Sequence, residues 1–153
     1  MAYGGTKVGT GGKYSQSGVQ GSGNVRKFYG GRGVFGGGYA DPYVDTIDYI
    51  TISTLNDATE FGELSQAREL EGACSDGIRG VWQGGGVGPV DTIDYINIGV
   101  FTNALDFGNL TQARRHIWAV SNSTRAVCGD GYTTANVDTL DYITIQTTGN
   151  STD

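Results

Sequence analysis

An all-β fold is predicted, and three observations predict it. The nonapeptide VDTIDYITI at 44–52 returns as VDTIDYINI at 90–98 and VDTLDYITI at 137–145, a period of 46 to 47 residues. The apolar runs are short, β-branched and aromatic. Between them lie clusters drawn from 27 glycines, a residue costly inside helices. A unit repeated at this length is one supersecondary element copied and stacked, because a single copy cannot bury its own apolar face.

The elements follow in order from Arg32. RGVFGGG at 32–38 is a strand ending at a triple glycine, VDTIDYITI is the next, ATEFGELSQAR at 58–68 is a third and LEGACSD at 70–76 a fourth. The second pass reads RGVWQGGG at 79–86, VDTIDYINI, ALDFGNLTQAR at 104–114 and HIWAVSN at 116–122. The third reads RAVCGDG at 125–131 and VDTLDYITI, and QTTGNSTD at 146–153 falls within what would be the next FG strand. The units therefore run over about 32–76, 77–122 and 123–153. Four short strands per unit with glycine turns is the arithmetic of a propeller blade.

Within VDTIDYITI, one strand face carries Val44, Thr46, Asp48, Ile50 and Ile52 and the other Asp45, Ile47, Tyr49 and Thr51. Neither face is purely polar, which predicts a strand sandwiched between neighbouring sheets.

Residues 1–31 have no counterpart in the repeat. The first 40 residues hold 14 of the 27 glycines, five basic residues (Lys7, Lys13, Arg26, Lys27, Arg32) and no acid. An arm of +5 on a body of −11 makes up the net charge of −6, and this asymmetry suits either an arm that docks on an acidic surface of its own body or of a neighbour or a solvated tail, with the aromatics Tyr3, Tyr14, Phe28 and Tyr29 tilting the choice toward order. The acidic balance and the pI near 4.6 argue against nucleic-acid binding. No apolar stretch is long enough for a membrane helix, and no secretion leader opens the chain, so a soluble, cytosolically made protein is expected. Cys74 aligns with Val120, and Cys128 with Trp82 and Phe35. These are apolar positions, so buried thiols rather than a disulfide are expected.

The residues that tempt a chemical reading are the DxxD pairs Asp45 and Asp48, Asp91 and Asp94, and Asp138 and Asp141. Such a pair suits calcium or general acid–base work. Three identical copies argue instead for a structural task repeated in every unit, such as accepting hydrogen bonds from Arg68 or Arg114. Tyr49, Tyr95 and Tyr142 repeat equally faithfully and are expected in the core. Trp82, Trp118, Tyr39, Tyr43 and Tyr132 are less regular and are candidates for a contact surface. His116, the single histidine, aligns with Leu70, which favours a packed or partly exposed side chain over a general base. No catalytic residue, metal site or cofactor is expected.

The triple glycine after an apolar strand, the second strand with its central tyrosine, and the FG strand ending in QAR resemble the kelch repeat of β-propellers. They are most similar to the divergent kelch-like copies in virion proteins of tailed bacteriophages, notably marine and cyanobacterial ones. The resemblance spans about 32–153. It implies a partial propeller or stacked β-sheets, completed by homo-oligomerisation, since closed propellers use about four to eight blades. It also implies a non-enzymatic virion subunit, of the tail, a fibre or the capsid decoration, in contact with other virion proteins, and the short chain and its basic, glycine-rich arm favour a small subunit docked through that arm. The alternative is an adhesin module that binds a host receptor or glycan.

Overall fold

The computed structural model describes residues 31–153. These carry ten strands and no helix: β1 (Arg32–Gly36), β2 (Thr46–Thr51), β3 (Thr59–Glu63), β4 (Gly72–Ser75), β5 (Arg79–Gln83), β6 (Val90–Asn97), β7 (Leu105–Arg114), β8 (Trp118–Ser121), β9 (Arg125–Gly129) and β10 (Leu140–Thr144). The all-β expectation holds. The strands form three antiparallel sheets of order β1-β2-β3, β4-β5-β6-β7 and β10-β9-β8, called here the first, second and third, and none closes on itself.

The grouping is offset by one strand from the units read along the chain. The LEGACSD strand, β4, pairs with the RGVWQ strand that follows it, and β8 likewise pairs with β9. The turns explain the pairing. Asp76 Oδ1 accepts from the amides of Ile78 and Arg79, and Asn122 Oδ1 from those of Thr124 and Arg125, so each SDG or SNS triplet closes a tight hairpin through its own side chain.

The sheets stack face to face with the second in the middle. Its Trp82, Ile96 and Ile98 pack with Ile47, Phe61 and Leu64 of the first sheet. Its Val81, Ile93, Phe107 and Leu110 pack with Ala126, Cys128, Ile143 and Ile145 of the third. On β6 the alternation is strict: Ile93 and Tyr95 belong to the second core, while Ile96 belongs to the first. The mixed faces of VDTIDYINI are thus two buried faces.

The FG motif is a bulge. The register slips between Ile47 and Asp48 opposite β3, and between Ile93 and Asp94 opposite β7. The extra residue is the phenylalanine, and both Phe61 and Phe107 are buried. The glycine after it admits the next sheet: a Cβ on Gly62 would sit 2.5 Å from the Thr102 carbonyl oxygen. The glycine run is equally constrained. Gly84 has φ +62°, and a Cβ there would lie 2.6 Å from the carbonyl oxygen of Arg114.

Cys74 and Cys128 are free thiols that pack with the second core. Burial pushes their pKa values up to about 12 and about 11. A maleimide or disulfide reagent at pH 8 is therefore expected to leave both unmodified in the native protein and to label both in denaturant. Fast native labelling would show that the interface between the second and third sheets opens.

Candidate functional site: the repeated junction between sheets

The DxxD pairs separate in space. Three residues apart on a strand, two side chains fall on opposite faces, and among the described residues no group of three His, Cys, Asp or Glu side chains is placed to hold a metal ion. Only the second aspartate of a pair enters a junction. Asp94, fully buried, accepts from the Arg68 guanidinium at 2.8 Å, the Ser65 amide at 2.9 Å and the Ser65 hydroxyl at 2.8 Å. Asp141, also fully buried, repeats this one sheet further on, with Arg114 at 3.0 Å and the amide and hydroxyl of Thr111. Asp48 is the same position on the first sheet and is half-buried, as are Asp45 and Asp91, whereas Asp138 is exposed.

Burial pushes the Asp141 carboxyl up, but the hydroxyl and amide of Thr111 and the Arg114 guanidinium outweigh it and hold its pKa below the usual carboxylate value. A depressed folded-state pKa contributes stability that is complete above the unfolded value and lost as pH falls through the folded one. Stability from this junction is therefore expected to decline on acidification below about pH 4. Thr111→Val, which deletes the hydroxyl donor, should lower stability at pH 7 by about 1.5–3 kcal/mol and flatten that acid limb in urea melts. An unchanged limb would place the acid sensitivity elsewhere. Glu71, raised by burial, works in the opposite sense, losing stability as pH rises through its folded pKa.

A second link repeats in parallel. Arg32 Nη1 donates to the Ile98 carbonyl at 2.6 Å while its guanidinium lies over the rings of Tyr49 and Phe101. Arg79 Nη1 donates to the Ile145 carbonyl at 2.9 Å and lies over Tyr95. Arg125 lies over Tyr142 in the same way, 4.5 Å from the ring centroid. Arg32, grouped by its charge with the arm, is thus the first residue of β1 and part of the repeat. Lys7, Lys13, Arg26 and Lys27 lie outside the described residues, as does the arm itself.

A third link was missed in the sequence. The Asn103 side-chain oxygen accepts from the Glu63 amide at 3.2 Å, and the Ala104 amide donates to the Glu63 carbonyl at 2.7 Å. Asn150 and Ser151 do the same to Asn109, at 3.0 and 2.8 Å. The signal was available: asparagine stands at 56, 103 and 150, at the period of the repeat. Ser65 and Thr111 were legible too, as the hydroxyl of ELSQAR and NLTQAR.

The aromatics divide. Trp82, considered as a contact-surface residue, is core: it is 3% exposed because both faces of the second sheet are covered. Trp118 is exposed on β8, and Tyr39 is exposed with its ring edge against Tyr43. His116 and Tyr132 meet edge to face, and with Asp130, Gly131, Asn136 and Val137 they line a cleft of about 470 Å³. No protein-family model matches the chain, nor does any curated protein.

Proposed function

We propose that the chain is a non-enzymatic structural subunit of a tailed-phage virion, built of kelch-like units, that self-associates and docks on other virion proteins through its basic N-terminal arm. The observation that carries this reading is how the repeat uses its polar chemistry. The buried repeat charges, Arg68 with Asp94 and Arg114 with Asp141, join one sheet to the next, which is the economy of a scaffold rather than of a single asymmetric site. The test is particle incorporation of a chain lacking residues 1–31. The reading expects the truncated chain to fold and to be absent from purified particles, and normal incorporation would sink the anchoring role.

The alternative is a host-receptor or glycan-binding module, and the cleft beside Tyr132 favours it. An aromatic ring flanked by His116, Asp130 and Asn136 offers the flat apolar face and polar rim that a sugar takes. Binding of purified protein on a glycan array, lost in Tyr132→Ala, would favour this reading over a purely structural one.

A further inference from the structure

The repeat defines each sheet by two different faces. One face carries Val34, Ile47 and Tyr49 in the first sheet and Val81, Ile93 and Tyr95 in the second, and in both cases it is packed against the following sheet. The third sheet carries the same set as Val127, Leu140 and Tyr142, joined by Trp118 and Val120 of β8. Here the face is open: Trp118 is 78% exposed, Val120 70% and Leu140 59%. The opposite face carries Trp82, Asp94 and Ile96 in the second sheet, packed against the first. Its copy in the first sheet is Phe35, Asp48 and Ile50, with Phe35 61% exposed. An apolar patch this continuous marks a contact surface.

We infer that the open face of the third sheet docks on the open face of the first sheet of a second copy, repeating between chains the apolar packing and the arginine–tyrosine link of the junction that the chain makes twice within itself. Continuity with those two junctions identifies the occupant. Of the three links the arginine-over-tyrosine one stands in place, whereas the third sheet, ending at β10, carries no counterpart of the segments that hold Arg68 and Ser65 or Arg114 and Thr111. Arg125 is held over Tyr142 as Arg32 and Arg79 are held over Tyr49 and Tyr95. The carbonyls that receive Arg32 and Arg79 belong to Ile98 and Ile145, whose repeat copy is Ile52, an exposed residue of the first sheet. Arg125 of one copy thus donates to Ile52 of the next. Sizes agree as well: Trp82 lies 3.0 Å from where a Cβ on Gly36 would be, and Phe35 and Gly129 are the copies of that large and small partner. The contact joins two different faces, so it is head to tail. It deepens the self-association part of the proposed function and does not depend on the virion part.

The test exploits that asymmetry. Leu140→Glu blocks one face and Phe35→Glu the other, and Val120→Glu repeats the first block from a different strand. All three side chains are exposed, so the circular dichroism of each variant should match the wild type. In sedimentation of the purified full chain at micromolar concentration, wild type is expected to form species of two or more copies and each variant alone to remain a monomer. Mixing Leu140→Glu with Phe35→Glu should produce a dimer and nothing larger, because one open face of each remains. A wild-type monomer at all concentrations, as would follow if residues 1–30 or an unrelated partner cover the face, overturns the proposal. So does a Phe35→Glu variant that still dimerises by itself, which would mean a like-with-like contact. Detection of the chain in particles is a separate measurement, so the virion reading can fail while this one stands.

Discussion

Asp94→Ala is expected to destabilise the fold by about 3–5 kcal/mol, the cost of breaking a buried ion pair from one side. Arg68 and Asp94 are both without solvent exposure. Burial already pulls the Arg68 pKa down, against the attraction of Asp94 and Glu71, so the cation is held where water cannot reach it. Among the described residues its Nε and Nη1 atoms have no hydrogen-bond partner, and the bond from Nη2 to Asp94 is its side chain's strong contact. Removing Asp94 takes away the guanidinium's hydrogen-bonded counter-charge, leaving only the attraction of Glu71, and also strands the amide and hydroxyl of Ser65. Arg68→Met combined with Asp94→Leu should cost far less than the single change, since an apolar pair of similar volume needs no desolvation. Urea midpoints of the three proteins decide the matter. A single-variant cost under about 1 kcal/mol, the range of exposed pairs, would mean that the junction is wet.

This junction also shows where the sequence speaks and where it falls silent. Repetition of VDTIDYITI, QAR and the glycine run made the strands and their spacing legible, because the period-2 pattern and the 46-residue period act on every copy alike, but the doubly buried strand expected at 44–52 is found only in the middle copy, since the outer sheets each leave one face open. Repetition also marked Asp94 and Arg68 as structural. It did not say which residue meets which, because partners come from neighbouring units: the Arg68–Asp94 bond spans 26 residues and the Arg32–Ile98 bond 66. Nor did it give the phase of the sheets. Hydrogen bonding alone decides whether LEGACSD joins the strand before it or after it, and that choice rests on the Asp76 and Asn122 turns. Among the irregular aromatics Trp82 misled, whereas Trp118 and Tyr39 are exposed. Phe35, Trp82 and Cys128 share a repeat position yet differ in volume, and irregularity suggested exposure where the cause is packing against different neighbours.

Trp82→Ala follows from that packing and should cost about 3–5 kcal/mol, the range for removing a large aromatic from a core. The indole is 3% exposed among Ile47, Phe61, Leu64, Ile96 and Ile98. Its ring lies against the β1 backbone at Gly36, where a Cβ would come within 3.0 Å. The large ring and the absent side chain are therefore one fitted pair across the junction of the first and second sheets. Deleting the ring leaves a void bounded by a backbone that cannot collapse into it, because β1 is fixed by its ladder to β2 and by the Arg32 bond to Ile98. The cost should thus lie toward the upper end. Trp118→Ala supplies the contrast within one chain. That indole is exposed on an outer face, and its loss should change monomer stability by no more than about 0.5 kcal/mol while weakening association of copies. If denaturant unfolding gave the two tryptophans similar values, the first and second sheets would not share a packed core, and the head-to-tail junction that copies theirs would lose its template.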